Sequence, residues 1–177
     1  MKFNDRMEKE VEKYSAVVVG SAWVGFDRDN SREDIARTIE VLSARVPRVV
    51  IALSVPLFPD YDRQCERKSL MIPGLSCQTV RPYSEGLENG INSYLVDLAE
   101  KHPNVSVLDL HSLLCDETSC QAASDGKPVY YDAGHLSMAG SQLLGRKALS
   151  MGAVPSFLRH YGSSGSDLHS TSESTSE

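Results

Sequence analysis

Apolar positions along this chain fall into two periods, one helical and one extended. Phe3, Met7, Val11 and Tyr14 recur at helical spacing and predict a helix over 2–14. Residues 16–20 form a continuous small and β-branched apolar run, which predicts a buried strand. A polar loop over 26–30 leads to Ser31 and Asp34, a capping-box-like start for a helix that puts Ile35, Ile39 and Leu42 on one face. Pro47 stops that helix, and 49–54 reads as a second buried strand.

A loop over 55–83, rich in proline and holding two cysteines, follows; loops of that length are usually functional or covalently pinned. The next helix is expected over 84–101, with Leu87, Ile91, Tyr94, Leu95 and Leu98 facing inward, and a third strand over 105–110. A second cysteine loop covers 111–127, Val129 and Tyr131 add a short extended piece, and a last full helix runs over 137–150. Strands alternating with helices imply right-handed βαβ units and a parallel sheet, hence an α/β fold. From Gly162 the chain is almost entirely Ser, Gly, Thr and Glu, so a domain over 1–155 with a disordered low-complexity tail over 156–177 is expected.

Composition narrows the function. The 177 residues suit one ordinary domain, and a net charge of −6 argues against a nucleic-acid partner, which needs clustered Lys and Arg. Apolar runs such as 49–53 are far too short to span a bilayer. Residues 1–12 are charged and lack the apolar stretch of a signal peptide, which taken alone points to the cytosol. Cys65, Cys77, Cys115 and Cys120 point the other way, because an even number of loop cysteines suggests disulfides and an oxidising compartment. Both signals fit if the chain is a piece of a longer exported or membrane-anchored protein.

The chemistry concentrates at 130–140, where Asp132 stands three residues before His135, just ahead of a helix. Ester chemistry uses a histidine as general base, with a carboxylate fixing its tautomer and stabilising the imidazolium. As a bare pattern, Asp-x-x-His is equally well a helix-capping aspartate beside a surface histidine. The fuller pattern, Asp-x-x-His-Leu-Ser-x-x-Gly after the aromatic pair Tyr130-Tyr131, resembles the last block of SGNH hydrolases. More narrowly, it resembles the SGNH domain fused to membrane acyltransferases of the OafA type. The strand end 17–26, with Trp23 and Phe26 in a Trp-x-x-aromatic motif, is similar to that family, as are Pro56 with Cys65 and Cys77, and Leu108-Asp109-Leu110 with Cys115 and Cys120. The resemblance runs from about Phe3 to Leu149 and matches only the C-terminal part of such a domain.

That resemblance implies a three-layer α/β/α sandwich with a parallel sheet of SGNH or flavodoxin-like type, here without its first strands. It implies an extracytoplasmic domain, attached to a membrane acyltransferase domain, that passes acyl groups from a donor to hydroxyls of a cell-envelope glycan acceptor. It calls for no metal and no other cofactor. Asp132 would orient His135, His135 would be the base, Trp23 would line the substrate, and the cysteines would pair as Cys65–Cys77 and Cys115–Cys120, as their short separations also favour. The family's Gly-Asp-Ser nucleophile block has no counterpart in this chain.

Rival readings remain. Ser21 follows Gly20 at a strand end, where a stand-alone esterase would place its nucleophile, but Gly20-Ser21-Ala22-Trp23 lacks the second glycine of a nucleophile elbow. Gly165-Ser166-Asp167 has no strand before it. His111, Cys115 and Cys120 could be zinc ligands, though the spacing is loose and no fourth ligand is evident. His102 and His160 fit solvated helix ends, and His169 belongs to the tail. A non-catalytic carbohydrate-binding or scaffold remnant is the alternative from outside enzyme chemistry.

Overall fold

The computed structural model describes residues 10–26, 31–75, 77, 79–86, 88–124 and 127–159. Three strands form a parallel sheet in the order β1 (Val17–Val19), β2 (Val49–Ala52) and β4 (Val105–Leu108). Helix α1 (Ser31–Arg45) connects β1 to β2, and α3 (Asn89–Glu100) lies between β2 and β4. The register places Val17, Val49 and Val105 in one row and Val19, Ile51 and Val107 in another. Both rows pack into one core with Ile35, Ile39 and Leu42 of α1 and Ile91, Leu95 and Leu98 of α3. Side chains alternate across a pleat, so Val18 and Val50 face the other way. Val50 is fully buried there, whereas Val18 on the outer strand is 50% exposed.

Polar side chains finish the ends of these elements. Asn104 Nδ2 donates to the carbonyls of Ser43 and Val46 (2.8 and 2.9 Å), satisfying orphan groups at the C-terminus of α1. Asn92 clamps the chain leaving β2: its Oδ1 accepts from Ser54 N at 2.9 Å and its Nδ2 donates to Ser54 O at 3.1 Å.

The second core is built from loops and one helix. It gathers Phe58, Leu113, Leu114, Ala122, Val129 and Tyr130 against Leu144 and Ala148 of α4 (Met138–Ser150). The 55–83 segment contains the short helix α2 (Cys65–Ser69) and strand β3 (Val80–Pro82). β3 pairs antiparallel with β5 (Ser119–Gln121), tying the two cysteine loops together, and a hairpin of β6 (Ala123–Ser124) and β7 (Lys127–Pro128) follows. Disulfides join Cys65 to Cys77 and Cys115 to Cys120. Between the loops lies a buried charge cluster that no sequence period announces. Glu88 Oε1 accepts hydrogen bonds from Arg81 Nη2 and, at 3.1 Å, from His111 Nε2.

Several boundaries differ from expectation. The helix expected over 2–14 lies mostly outside the described residues; Val11 is buried, but Tyr14 lies beyond the helical turn and is exposed, so it is not a core position. A 3-10 turn (Tyr83–Glu85) occupies the expected start of the 84–101 helix, because Asn89 Nδ2 donates to Tyr83 O (2.8 Å) and fixes that turn. The Asn89-Gly90 pair therefore opens α3 instead of lying within it. Val129 and Tyr131 form no regular strand; Tyr130 makes a single bridge to Leu136. Of the expected tail, the first four residues form α5 (Ser156–Arg159), with Arg48 over the Phe157 ring, and 160–177 lie outside the described residues.

Candidate active site

The segment around Asp132 and His135 is a tight loop whose backbone is almost fully accounted for. Asp132 Oδ1 accepts from the amides of Gly134 (3.0 Å) and His135 (2.8 Å), and Tyr131 N donates to His135 O (2.7 Å) across the loop mouth. The His135 ring then folds back so that Nδ1 lies 2.9 Å from both carboxylate oxygens of Asp132. These bonds, led by the Gly134 and His135 amides, hold the Asp132 carboxyl below its ordinary range and keep it ionised. A carboxylate only accepts, so it selects the tautomer with the proton on Nδ1 and leaves the Nε2 lone pair outward. The His135 side chain is 81% exposed, and Asp132 is half exposed.

The rest of the motif has a structural reason. Ser137, not Asp132, caps the following helix: its hydroxyl accepts from Gly140 N at 2.9 Å. The alternative of a helix-capping aspartate therefore does not describe this loop. Gly140 sits against the Val129 carbonyl, where a Cβ would fall 1.9 Å from the oxygen, so α4 can close on the second core only with glycine there.

The first cysteine loop buttresses this turn from the other side. Phe58 N donates to Ala133 O at 2.7 Å, Leu57 packs against Gly134, and the Arg63 guanidinium lies 4.0 Å from the Tyr131 ring centroid. Beneath them Tyr130 is buried, with its hydroxyl donating to Pro56 O (2.7 Å) and its ring edge-on to Phe58 and Tyr61. Burial pushes the Tyr130 phenol up, so it stays a neutral structural donor. The sequence assigned Tyr130 no buttressing role and did not join His111 to Arg81 and Glu88. A buried charge has no periodic signature, and only the flanking aromatic pair hinted at the tyrosine.

The other candidates are distributed differently. Trp23 is a packed residue, 5% exposed, and its indole N–H donates to Ala52 O at 2.7 Å. That bond commits its polar edge to holding the turn after β1 against the end of β2, while its ring borders the apolar groove between β1 and α1. Ser21 is exposed beyond β1 and lines the mouth of an apolar groove between β1 and α1. Among the described residues no serine hydroxyl hydrogen-bonds His135. His111, Cys115 and Cys120 do converge, their ligand atoms lying within 4.8 Å of one another, but both sulfurs are spent on the disulfide and offer no thiolate. His102 Nδ1 lies 3.2 Å from Ser43 Oγ, at the end of α1, while His160 and His169 lie outside the described residues. No described helix is long and apolar enough to cross a membrane.

This arrangement, an α/β domain carrying a carboxylate-oriented histidine just before its last long helix, coincides with what sequence comparison finds. The chain belongs to the family described as the SGNH domain fused to AT3 domains, which it matches over residues 1–149. The periplasmic domain of a lipopolysaccharide acetyltransferase from Salmonella ser. Paratyphi A has a similar fold, with a TM-score of 0.59 at 18% identity. The match covers 84% of this chain and 61% of that one, so this chain spans less than two thirds of its neighbour's length. A Streptococcus pneumonia protein described as a platelet activating factor matches with a TM-score of 0.46 at 17% identity, over 77% of this chain and 57% of that one. No curated protein matches the sequence.

Proposed function

We propose that this chain is the SGNH part of an O-acyltransferase that works outside the cytoplasm, joined to a membrane acyltransferase domain, and esterifies hydroxyls of a cell-envelope glycan. The observation that carries the reading is the Asp132 carboxylate set 2.9 Å from Nδ1 of His135, with the opposite ring edge open to solvent. In the first half-reaction His135 Nε2 takes the proton of a serine hydroxyl as its oxygen bonds to the donor's acyl carbon. The donor's leaving group departs with that proton, and an acyl-serine remains. In the second half His135 takes the proton of the acceptor sugar's hydroxyl as that oxygen attacks the acyl-serine, and the serine oxygen leaves reprotonated. Asp132 keeps the ring in the right tautomer and stabilises the transient imidazolium. The family membership and the likeness to a periplasmic acetyltransferase domain support the acyl-transfer class and the compartment. The open ring edge suits a large polar acceptor.

The serine would come from a segment outside these 177 residues, adding beside β1, whose outer edge carries no partner strand among the described residues. In a protein that also contains that segment, His135→Ala and Asp132→Asn should each lower acyl transfer to the glycan by about 10³-fold or more without changing thermal stability. This chain alone should hydrolyse p-nitrophenyl acetate no faster than its His135→Ala variant. Turnover lost on both His135→Ala and Ser21→Ala would instead establish a stand-alone esterase using Ser21. Glycan binding by a protein whose His135 can be removed without effect on acyl transfer would favour the non-catalytic remnant.

A further inference from the structure

The tip of the first disulfide loop exposes every residue from 70 to 75, including Leu70 at 87% and Met71 at 83%, together with Ile72 and Leu75. Apolar residues scattered singly over a surface need no explanation, but four large ones in six positions do. The tip is an ordered turn. Met71 N and Ile72 N both donate to Lys68 O (2.9 Å), Leu75 N donates to Ile72 O (3.3 Å), Gly74 turns the chain at φ 80, and Cys65–Cys77 closes the base. Three amides of the turn are thus bonded locally, and Pro73 has no amide to satisfy.

We infer that this tip is a membrane-surface anchor that inserts into the headgroup region of a lipid bilayer. Three features favour lipid over another protein. An inserted backbone must bring its own hydrogen bonds, and the amides of Met71, Ile72 and Leu75 find theirs within the turn. A bilayer receives projecting Leu, Met and Ile without a complementary pocket. Charge also fits: Arg81 is neutralised by buried Glu88, and over 55–83 Arg63, Arg67 and Lys68 balance Asp60, Asp62 and Glu66, while the whole chain is at −6, so the repulsion an anionic surface would exert elsewhere is lifted here. Arg67 and Lys68 are exposed at the base of the tip, where long stems can keep charge at headgroup level. The same loop holds the Asp132–His135 turn through Leu57, Phe58 and Arg63, so anchoring would bring that turn to the membrane face. Lipid binding itself does not depend on the catalytic reading.

Flotation of the full chain with vesicles of phosphatidylethanolamine and phosphatidylglycerol tests the inference. The chain should float with the vesicles, and high salt should reduce binding only slightly. Replacing Leu70→Ser and Met71→Ser together should lower partitioning by about tenfold or more. Met151→Ser, which changes an exposed methionine elsewhere, should leave it unchanged. Absence of flotation, or equal flotation of the double variant with an unchanged circular dichroism spectrum, would overturn it. So would a concentration-dependent dimer that the double variant dissolves without any vesicle binding, which would assign the tip to contact between copies. Acyl transfer that survives His135→Ala in a protein that also supplies the serine, with vesicle binding intact, would count against the catalytic reading alone.

Discussion

In the sheet half of the molecule, β1, β2 and β4 are β-branched runs in register, and α1 and α3 each lay one apolar stripe on them. In the half that carries Asp132 and His135, strands are two or three residues long. Order there comes from two disulfides, a buried ion cluster, a capped helix and one obligatory glycine. The first half is stabilised by apolar area, which many sequences can supply. The second is held by a few specific bonds, so single changes there should act locally and, in some cases, sharply. That suits a site: the loop geometry is fixed by bonds near it while the reactive edge stays open to solvent.

The largest stability effect should come from removing one partner of the buried cluster. Glu88→Gln leaves Arg81 without its compensating charge and should cost about 3–5 kcal/mol by chemical denaturation. Replacing Arg81 and Glu88 together with Met and Leu should recover much of that loss, and failure to do so would mean that the cluster does more than balance charge. Ile39→Ala in the sheet core should cost about 2–5 kcal/mol, yet leave the Asp132–His135 hydrogen bond intact by NMR. Equal disturbance of both halves would erase the distinction between them.

Acid should separate the halves further. Burial raises the Glu88 carboxyl, but the His111 hydrogen bond and Arg81 outweigh it, and the folded value lies below the ordinary one. A group lowered in the fold contributes stability that is complete above its unfolded value, near 4.5, and is lost as pH falls through the folded value. Denaturation midpoints should therefore fall below about pH 4.5, and Glu88→Gln should flatten that part of the profile. Replacing Cys65 and Cys77 with serine should cost roughly 2–3 kcal/mol, and hydrogen exchange should rise in 55–83 before it rises in the sheet. Ser137→Ala should cost only about 1 kcal/mol and fray the start of α4, detectable as faster exchange at Gly140.

The sheet core was readable in advance because its signal is local. Runs such as 16–20 and 49–54 and the Ile35, Ile39, Leu42 stripe carry their environment in their own period. The pairing of the cysteines was also within reach, since short separations and the family resemblance agreed. The partner of Trp23 was not: an aromatic at a strand end serves a ligand or a core equally well, and only the fold sets its indole against Ala52 O beside the β1–α1 groove. The helix expected from 84 shows the same limit. Its apolar face was visible, but the tight turn ahead of it depends on a side-chain bond from Asn89.

By itself the sequence determined a parallel α/β frame, two loops tied by their own cysteines, and an aspartate and histidine three residues apart. Those follow from short-range periods, spacing and residue chemistry. Only the tertiary structure decided that Ser137 takes the helix cap and frees Asp132 for the ring of His135. The close approach of α4 to Val129, the Tyr130 buttress and the meeting of Arg81, Glu88 and His111 were decided there as well. These contacts join groups distant in the chain or turn on competition between acceptors, and their energies depend on burial that exists only once both halves have packed.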